Sequence, residues 1–98
     1  MEKQIAHYPL SQVKTLVSSG LVRATKTALK GAIAIGFTFE DMKEVILNLE
    51  SKDFYKSMTS NHDNSIWQDV YRYPAMDLDI YIKVQILKNV VVISFKEL

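Results

Sequence analysis

The chain has 98 residues, of which 48% are hydrophobic and 23% are charged, and its net charge is +1. This length predicts a single domain over residues 1–98, and the near-neutral charge excludes a strongly basic nucleic-acid-binding domain. The chain contains no cysteine, which excludes disulfides, thiol catalysis and thiolate zinc sites, and two histidines are too few for an all-protein metal site. No apolar stretch approaches the roughly 20 residues that span a membrane, and the N-terminal residues lack the apolar core of a signal peptide. We therefore expect a cytoplasmic protein that makes no membrane contact.

The first half of the chain is predicted to be helical, because its apolar residues recur every three or four positions. Three helices are expected: one from Leu10 that stops at Gly20, one capped by Thr25 that runs to Gly36, and one that opens at Thr38. Asp41 lies three residues after Thr38 and completes a capping box with Asp in place of Glu. Gly31 is expected to weaken the second helix by roughly 1 kcal/mol relative to alanine.

The second half changes to the period of a β-strand. Four strand-like segments follow one another, at residues 54–58, 66–72, 79–85 and 91–98. The third has the cleanest alternation of apolar and polar side chains, and together the four predict an antiparallel meander. Lys88 and Asn89 fit a two-residue hairpin loop between the last two strands. The proline within residues 73–77 is expected to end the second strand.

Helices followed by strands predict an α+β fold, in which the N-terminal helices pack on one face of the antiparallel sheet. The helices are expected to cover the apolar face of the meander, which carries Ile80, Ile82, Val84, Val91, Ile93 and Phe95. The opposite face, here called the open face, then carries Tyr81, Lys83 and Lys96. A polar open face is a place where a small α+β domain can bind a ligand.

Charge is distributed unevenly along the chain. Five basic residues and no acidic residue lie between Lys3 and Phe39, whereas acidic residues outnumber basic ones from position 40 onward. A solvated helical face explains such a run most simply. One side of a phosphate-binding surface is the alternative explanation.

The residues of the meander that donate hydrogen bonds or carry positive charge are Lys56, Gln68, Arg72, Tyr81 and Lys96. No carboxylate–histidine pair accompanies them, and Asp69 stands alone, which argues against paired-carboxylate chemistry. Such a group suits a phosphodiester better than an ester or a peptide. Taken by themselves, the same residues are explained more simply as exposed charges and packing side chains of a sheet.

Longer segments of the chain resemble a known family. DFYKSMT and IWQDVYR in the middle of the chain, YIK in the third strand and VISFKEL at the C-terminus are similar to the MqsR toxins, as are LSQVK, VRAT and TALK in the first half. These toxins are small bacterial mRNA-cleaving proteins, or mRNA interferases. The resemblance covers the whole chain, and the run from DFYKSMT to IWQDVYR is too long and particular to arise by chance.

The resemblance implies a RelE-like fold and an endoribonuclease that cleaves single-stranded mRNA without a metal or another cofactor, at GC-containing sites. It implies catalytic roles for Lys56, Gln68, Tyr81 and Lys96, and contact with RNA by Tyr55, Met58 and Arg72. It also implies a cognate MqsA-like antitoxin with a zinc-binding N-terminal domain and a DNA-binding C-terminal domain. The chain itself would then reach DNA only through that antitoxin.

Two acidic residues depart from the family pattern. Asp77 and Asp79 lie shortly before Tyr81, where they lower the local positive potential. They are therefore expected to weaken the attraction of RNA phosphates. The alternative is that Asp79 pairs with Lys83, Arg72 or another basic residue of the site and holds it in position.

RNA carries its own nucleophile, the ribose 2′-OH beside the scissile phosphate, so the protein needs to position it, move protons and stabilise the transition state. Lysine and tyrosine have ordinary pKa values near ~10 and therefore begin as acids or charge donors. Crowding among Lys56, Arg72 and Lys96 is one way to lower the pKa of a lysine until it acts as a base. Gln68 is assigned to a phosphate oxygen or a base edge, and Tyr55 to stacking on an unstacked base.

The alternative function is a non-enzymatic RNA- or protein-binding module, such as an inactivated toxin that serves as a repressor subunit.

Overall fold

The structure is a computed structural model that describes residues 1–75 and 77–98. In those residues, three α-helices pack on one face of a six-stranded sheet, and a 3₁₀ turn at Ser51–Asp53 joins the last helix to the sheet. The helices are α1 (Leu10–Ser18), α2 (Lys26–Ala34) and α3 (Phe39–Asn48). The strands are β1 (Glu2–Lys3), β2 (Val22–Ala24), β3 (Phe54–Thr59), β4 (Trp67–Ala75), β5 (Leu78–Leu87) and β6 (Asn89–Glu97). None of the described helices is long and apolar enough to cross a membrane.

The capping residues set the helix boundaries as predicted. The Thr25 hydroxyl accepts a hydrogen bond from the N–H of Ala28, in the first turn of α2, at 3.1 Å. At the start of α3, the Asp41 N–H donates to Thr38 Oγ1 at 3.0 Å and the Thr38 N–H donates to Asp41 Oδ2 at 2.9 Å. These bonds lower the pKa of the Asp41 carboxyl below its ordinary value. Gly20 follows α1 with a φ of 81°, a left-handed conformation that glycine adopts without strain.

The sheet contains the predicted meander and has one additional short strand at each edge. The strand order is β1-β3-β4-β5-β6-β2, and β3 to β6 pair antiparallel in chain order. β1 pairs antiparallel with β3, whereas β2 runs parallel to β6, so the sheet is mixed rather than purely antiparallel. The predicted α+β class is confirmed, and the arrangement is consistent with a RelE-like fold. The sequence pattern does not predict β1 and β2, because two or three residues are too few to show a period.

The second helix lies very close to β6 at Gly31. A Cβ atom at this position would come within 2.2 Å of the Phe95 carbonyl oxygen. Glycine is therefore required here for the approach of the helix to the sheet. The residue that is expected to weaken α2 in fact allows α2 to pack.

A β-bulge in β6 changes which apolar residues face the helices. Lys83 pairs with Ser94 and the next residue of β5 pairs with Val92, so Ile93 has no partner on β5. Val92 consequently joins the core beneath the helices, whereas Val91 lies outside that core cluster. The prediction that Val91 and Ile93 face the helices is wrong, because alternation in a sequence does not reveal a bulge.

The proline of β4 does not end the strand. β4 continues through Pro74, which pairs with Asp79 of β5, to Ala75. β3 pairs with β4 only as far as Tyr71, so β4 is an edge strand on that side at Pro74, where a missing N–H is tolerated. Position 76 of the same segment lies outside the described residues.

The hairpin between β5 and β6 is tighter than the predicted two-residue loop. Leu87 pairs with Asn89, which leaves Lys88 alone at the turn with a φ of 66°. A non-glycine residue with this φ is uncommon, and its place at a hairpin turn accounts for it.

Candidate active site

The register of the meander brings the predicted site residues together on the open face. One row across the strands, here called the lysine row, contains Lys56, Val70, Lys83 and Ser94. The next row, here called the tyrosine row, contains Arg72, Tyr81 and Lys96. Neighbouring strands lie about 4.7–4.9 Å apart, so the long side chains of both rows can reach a single phosphate group.

An acidic residue of the N-terminal strand holds Lys56. The Lys56 Nζ lies 2.8 Å from Glu2 Oε2, and the two form an ion pair. This hydrogen bond raises the pKa of Lys56 above its ordinary value and lowers the pKa of Glu2. Lys56 is therefore held as an ammonium, and the ion pair opposes the crowding that was expected to turn Lys56 into a base.

Tyr55 and Arg72 form a stacked pair at the edge of the site. A β-bulge between Phe54 and Lys56 leaves Tyr55 without a partner on β4. The guanidinium carbon of Arg72 lies 3.6 Å from the centre of the Tyr55 ring, within the range of a cation–π contact. Because Tyr55 is 38% exposed, part of its ring remains available to an unstacked base.

Gln68 faces the site with a side chain that is almost fully buried. Its Nε2 donates a hydrogen bond to Gln85 Oε1 at 2.8 Å, and the two residues are 7% and 8% exposed. This bond uses one amide hydrogen of Gln68 and leaves its carbonyl oxygen and second amide hydrogen for other partners. Met58 lies opposite Gln68 on β3 and is half-buried. The contacts of Gln68 and Met58 with RNA stay predictions.

Lys83 lies at the centre of the open face and is half-buried. Burial lowers the pKa of Lys83, and the ammonium groups of Lys96 and Lys56 lower it further. Among the residues that the structure describes, Lys83, Arg72 and Lys96 form no ion pair with a carboxylate. Their positive charge is therefore left for a ligand.

Tyr81 lies between Arg72 and Lys96 in the tyrosine row. The Lys96 Nζ is 5.4 Å from the centre of the Tyr81 ring. Burial raises the pKa of Tyr81 above its ordinary value, an effect that the positive charge of Lys56 partly opposes. The phenol thus remains protonated near neutral pH and can donate a hydrogen bond.

The buried carboxylate beside the site serves the fold. Asp69 is fully buried and accepts hydrogen bonds from the Ser57 hydroxyl at 2.6 Å, the His7 N–H at 3.0 Å and the Tyr8 N–H at 2.9 Å. These bonds tie the N-terminal segment, which carries Glu2, to the centre of the sheet. Asp69 therefore acts as an anchor and has no substrate-facing role.

The acidic residues that depart from the family pattern are both exposed. Asp79 pairs with Pro74, so it lies two residues before Tyr81 on β5, opposite the residue two after Arg72 on β4. Within the described part of the chain, neither Asp77 nor Asp79 forms an ion pair, so Asp79 does not hold Lys83 or Arg72 in place. Repulsion of RNA phosphates remains the expected effect of these carboxylates.

A cavity of about 310 Å³ lies away from the open face, where it is lined by Gly36, Phe37, Asp41, Glu44 and Val45. None of these residues belongs to the lysine row or the tyrosine row. Two of them are carboxylates, which would repel a phosphate. We therefore do not assign this cavity to RNA.

Three residues complete the site beyond those to which the sequence analysis gives a role. Lys83 and Gln85 share the face of Tyr81, and the alternation of side chains along β5 is the signal that places them there. Glu2 also lies at the site, but it precedes Lys56 by 54 residues in the chain. No local sequence pattern therefore predicts their contact.

Comparison with known proteins identifies the family. The family model described as "Motility quorum-sensing regulator, toxin of MqsA" matches residues 5–97, which include all of β3 to β6. The mRNA interferase toxin MqsR of Escherichia coli (strain K12) is 47% identical over 97 residues, which is 99% of this chain and 99% of that protein. Both matches confirm the resemblance carried by the DFYKSMT and IWQDVYR segments. The chain therefore belongs to the MqsR toxin family.

Proposed function

We propose that this protein is an endoribonuclease, the toxin of a toxin–antitoxin system, which cleaves mRNA by attack of a ribose 2′-OH on the adjacent phosphate. Membership of the MqsR toxin family supports this class of function, and the E. coli relative is itself named an mRNA interferase toxin. The observation that carries the chemistry is the open face itself. There the described residues place lysines and an arginine around a tyrosine, and of these cations Lys56 alone is paired with a carboxylate.

The cations of the open face suit the charge that develops during cleavage. The scissile phosphate gains negative charge as the 2′-oxygen attacks, and donors already in place stabilise that charge without reorganising. Arg72 fits a bidentate contact with phosphate oxygens, and its stacking on Tyr55 restricts the motion of the guanidinium group. Lys96 approaches the same phosphate from the other side of Tyr81. We therefore propose a reaction that needs no metal or other cofactor.

The leaving 5′-oxygen needs a proton donor, and the site contains two. Lys56 is held as an ammonium by Glu2, and the pKa of Tyr81 is raised by burial. Both groups are therefore protonated at neutral pH, as a general acid has to be. Either side chain can deliver the proton, because Lys56 lies in the lysine row and Tyr81 lies in the neighbouring tyrosine row.

The substrate is proposed to be single-stranded RNA. Tyr55 offers a partly exposed ring for stacking, which requires a base that is not paired in a duplex. Gln68 and Met58 border the lysine row and are proposed to contact the same nucleotide or its neighbour. A preference for GC-containing sites follows from the family alone.

The proposed partner is an MqsA-like antitoxin, in keeping with the family description of a toxin of MqsA. We propose that this antitoxin has a zinc-binding domain and a DNA-binding domain. The toxin would then reach DNA only as part of that complex. Both proteins would act in the cytoplasm, where mRNA is found.

Mapping of cleavage ends on a long RNA tests the proposal. The purified protein is incubated with single-stranded RNA in the presence of EDTA, beside Lys56→Ala and the control Lys52→Ala. Lys52 is exposed and lies outside the site, so its variant should cleave as the wild type does. Lys56→Ala should cleave about 10²-fold or more slowly, the range expected on loss of a proton donor. Retention of RNA without any cut by the wild-type protein would favour the non-enzymatic binding module instead.

A further inference from the structure

We propose that Lys83 is a further catalytic residue of this site and takes the proton from the attacking ribose 2′-OH. The inference rests on the proposed endoribonuclease function and assigns the proton acceptor of that reaction. The strand register places Lys83 in the middle of the residues already proposed to contact RNA.

Lys83 occupies the central position of the open face. In the lysine row it is separated from Lys56 by the single residue Val70, which means about 9–10 Å between the two backbones. Val70 is fully buried although it lies outside the core cluster, so side chains of the open face must cover it. On the other side, Lys83 pairs with Ser94, two residues before Lys96. A phosphate bound between Lys56 and Lys96 would therefore lie directly over Lys83.

The groups that face Lys83 favour its neutral form. β4 presents Val70 opposite it, with Gln68 and Arg72 on either side, and β6 presents Ser94, with Lys96 beyond it. β3 adds Lys56, and β5 itself adds Tyr81 and Gln85. Among these described neighbours there is no carboxylate, and three of them are cations, of which Lys56 is paired with Glu2 of β1. Burial and the neighbouring lysines accordingly lower the pKa of Lys83.

Lys56 has the opposite environment, although it carries the same functional group. Its ion pair with Glu2 raises its pKa, so it loses its proton less easily than an ordinary lysine. When two like groups have environments that shift their pKa values apart, the lower becomes the base and the higher the acid. Lys83 is thus the proton acceptor, and Lys56 remains a proton donor.

The step balances within the site. The neutral amine of Lys83 takes the proton of the 2′-OH while the bond between O2′ and phosphorus forms. The bond between phosphorus and O5′ breaks, and O5′ takes a proton from Lys56 or Tyr81. The products are a 2′,3′-cyclic phosphate and a 5′-OH. Lys83 then releases its proton to water, and the proton donor regains one.

The substitution Lys83→Arg separates charge from basicity, because an arginine side chain is positively charged but does not lose its proton in proteins. We expect Lys83→Arg and Lys83→Met to be equally impaired, with cleavage about 10²-fold or more slower than wild type. Lys83→Arg should nevertheless bind RNA as tightly as the wild type. The control is Lys88→Arg at the exposed hairpin turn, which should cleave normally. Wild-type cleavage by Lys83→Arg would overturn the proposal, since charge alone would then suffice.

The absence of cysteine from the chain permits a second test. Lys83→Cys can be alkylated at that one thiol with 2-bromoethylamine, which restores an amine of similar length with a lower pKa, because sulfur withdraws electrons. We expect alkylation to restore cleavage and to move the acidic limb of the pH–rate profile to lower pH, because the base becomes neutral there. An acidic limb at the wild-type pH would contradict the assignment of Lys83.

An RNA with sulfur in place of the bridging 5′-oxygen tests whether Lys83 is the base and Lys56 the acid. A thiolate leaves without a proton, so this substrate needs no acid but still needs a base. We expect it to restore cleavage by Lys56→Ala but not by Lys83→Met, and rescue of Lys83→Met would contradict the proposal. Wild-type protein that leaves all these RNAs intact would refute the endoribonuclease function itself, which distinguishes that failure from a wrong assignment of Lys83.

Discussion

Replacement of Gly31 by alanine sets two opposite effects against each other. Helix propensity alone predicts that Gly31→Ala stabilises α2 by about 0.8–1.0 kcal/mol. The structure predicts a clash, because the new Cβ would lie 2.2 Å from the Phe95 carbonyl oxygen and 3.4 Å from the Lys96 Cβ. Carbon–oxygen contacts of this kind normally measure about 3.3–3.6 Å, so α2 and β6 have to separate by about 1 Å.

The clash should outweigh the gain in propensity. Overpacking of a filled interior costs about 1–3 kcal/mol, and the upper part of this range applies because a backbone oxygen cannot rotate away. We therefore expect a net loss of about 2 kcal/mol, which lowers the Tm of a domain of this size by about 8–16 °C. Circular dichroism during heating measures this change. The control Lys30→Ala, at an exposed position of the same helix, should change stability by less than about 0.5 kcal/mol.

Gly31→Ala should also disturb the active site. Phe95 directly precedes Lys96, so a displacement of β6 moves the lysine relative to Tyr81. A misplacement of about 1 Å can reduce a rate by about 10²-fold, and we expect a loss of this order in Gly31→Ala at a temperature where it is folded. A raised Tm together with normal cleavage would refute the close approach of α2 and β6.

Three further predictions concern single side chains. Lys56→Ala and Lys96→Ala should change the free energy of unfolding by less than about 0.5 kcal/mol, because both side chains lie on the open face; a large loss in thermal melts would show that they are structural. Asp69→Asn should cost about 1–3 kcal/mol in urea unfolding, because an amide cannot accept all three buried hydrogen bonds of the carboxylate. Unchanged stability would contradict the anchoring role. Asp79→Asn should speed cleavage at low salt, with a gain that shrinks as salt rises; a loss at every salt concentration would show that Asp79 supports the site.

The predicted features that the structure confirms depend on residues close together in the chain. The capping box of Thr38 and Asp41 involves residues three apart, and it fixes the start of α3 as expected. The alternation along β5 places Tyr81 and Lys83 on one face because its period is built into the strand. Such local rules suffice for the α+β class and for the open face.

The features that sequence reasoning missed depend on contacts between distant residues. The ion pair of Glu2 with Lys56 forms only once β1 has paired with β3. The bulge at Ile93 reverses the alternation in half of β6, and nothing in the sequence marks that position. The electrostatic environment of Lys83 likewise requires three neighbouring strands to be in register. Basicity of a side chain is therefore a property of the assembled sheet.

The ribose 2′-OH of the substrate is the proposed nucleophile on the open face. Two RNA oligonucleotides that differ by one oxygen atom, with a 2′-OH or a 2′-deoxy group at a mapped cleavage site, test this role. We expect the wild-type protein to cut the 2′-OH oligonucleotide, with EDTA present, to a 2′,3′-cyclic phosphate or 3′-phosphate and a 5′-OH. The 2′-deoxy oligonucleotide should stay intact at that site. Cleavage of the 2′-deoxy oligonucleotide at the same position, or products with a 5′-phosphate, would contradict this role.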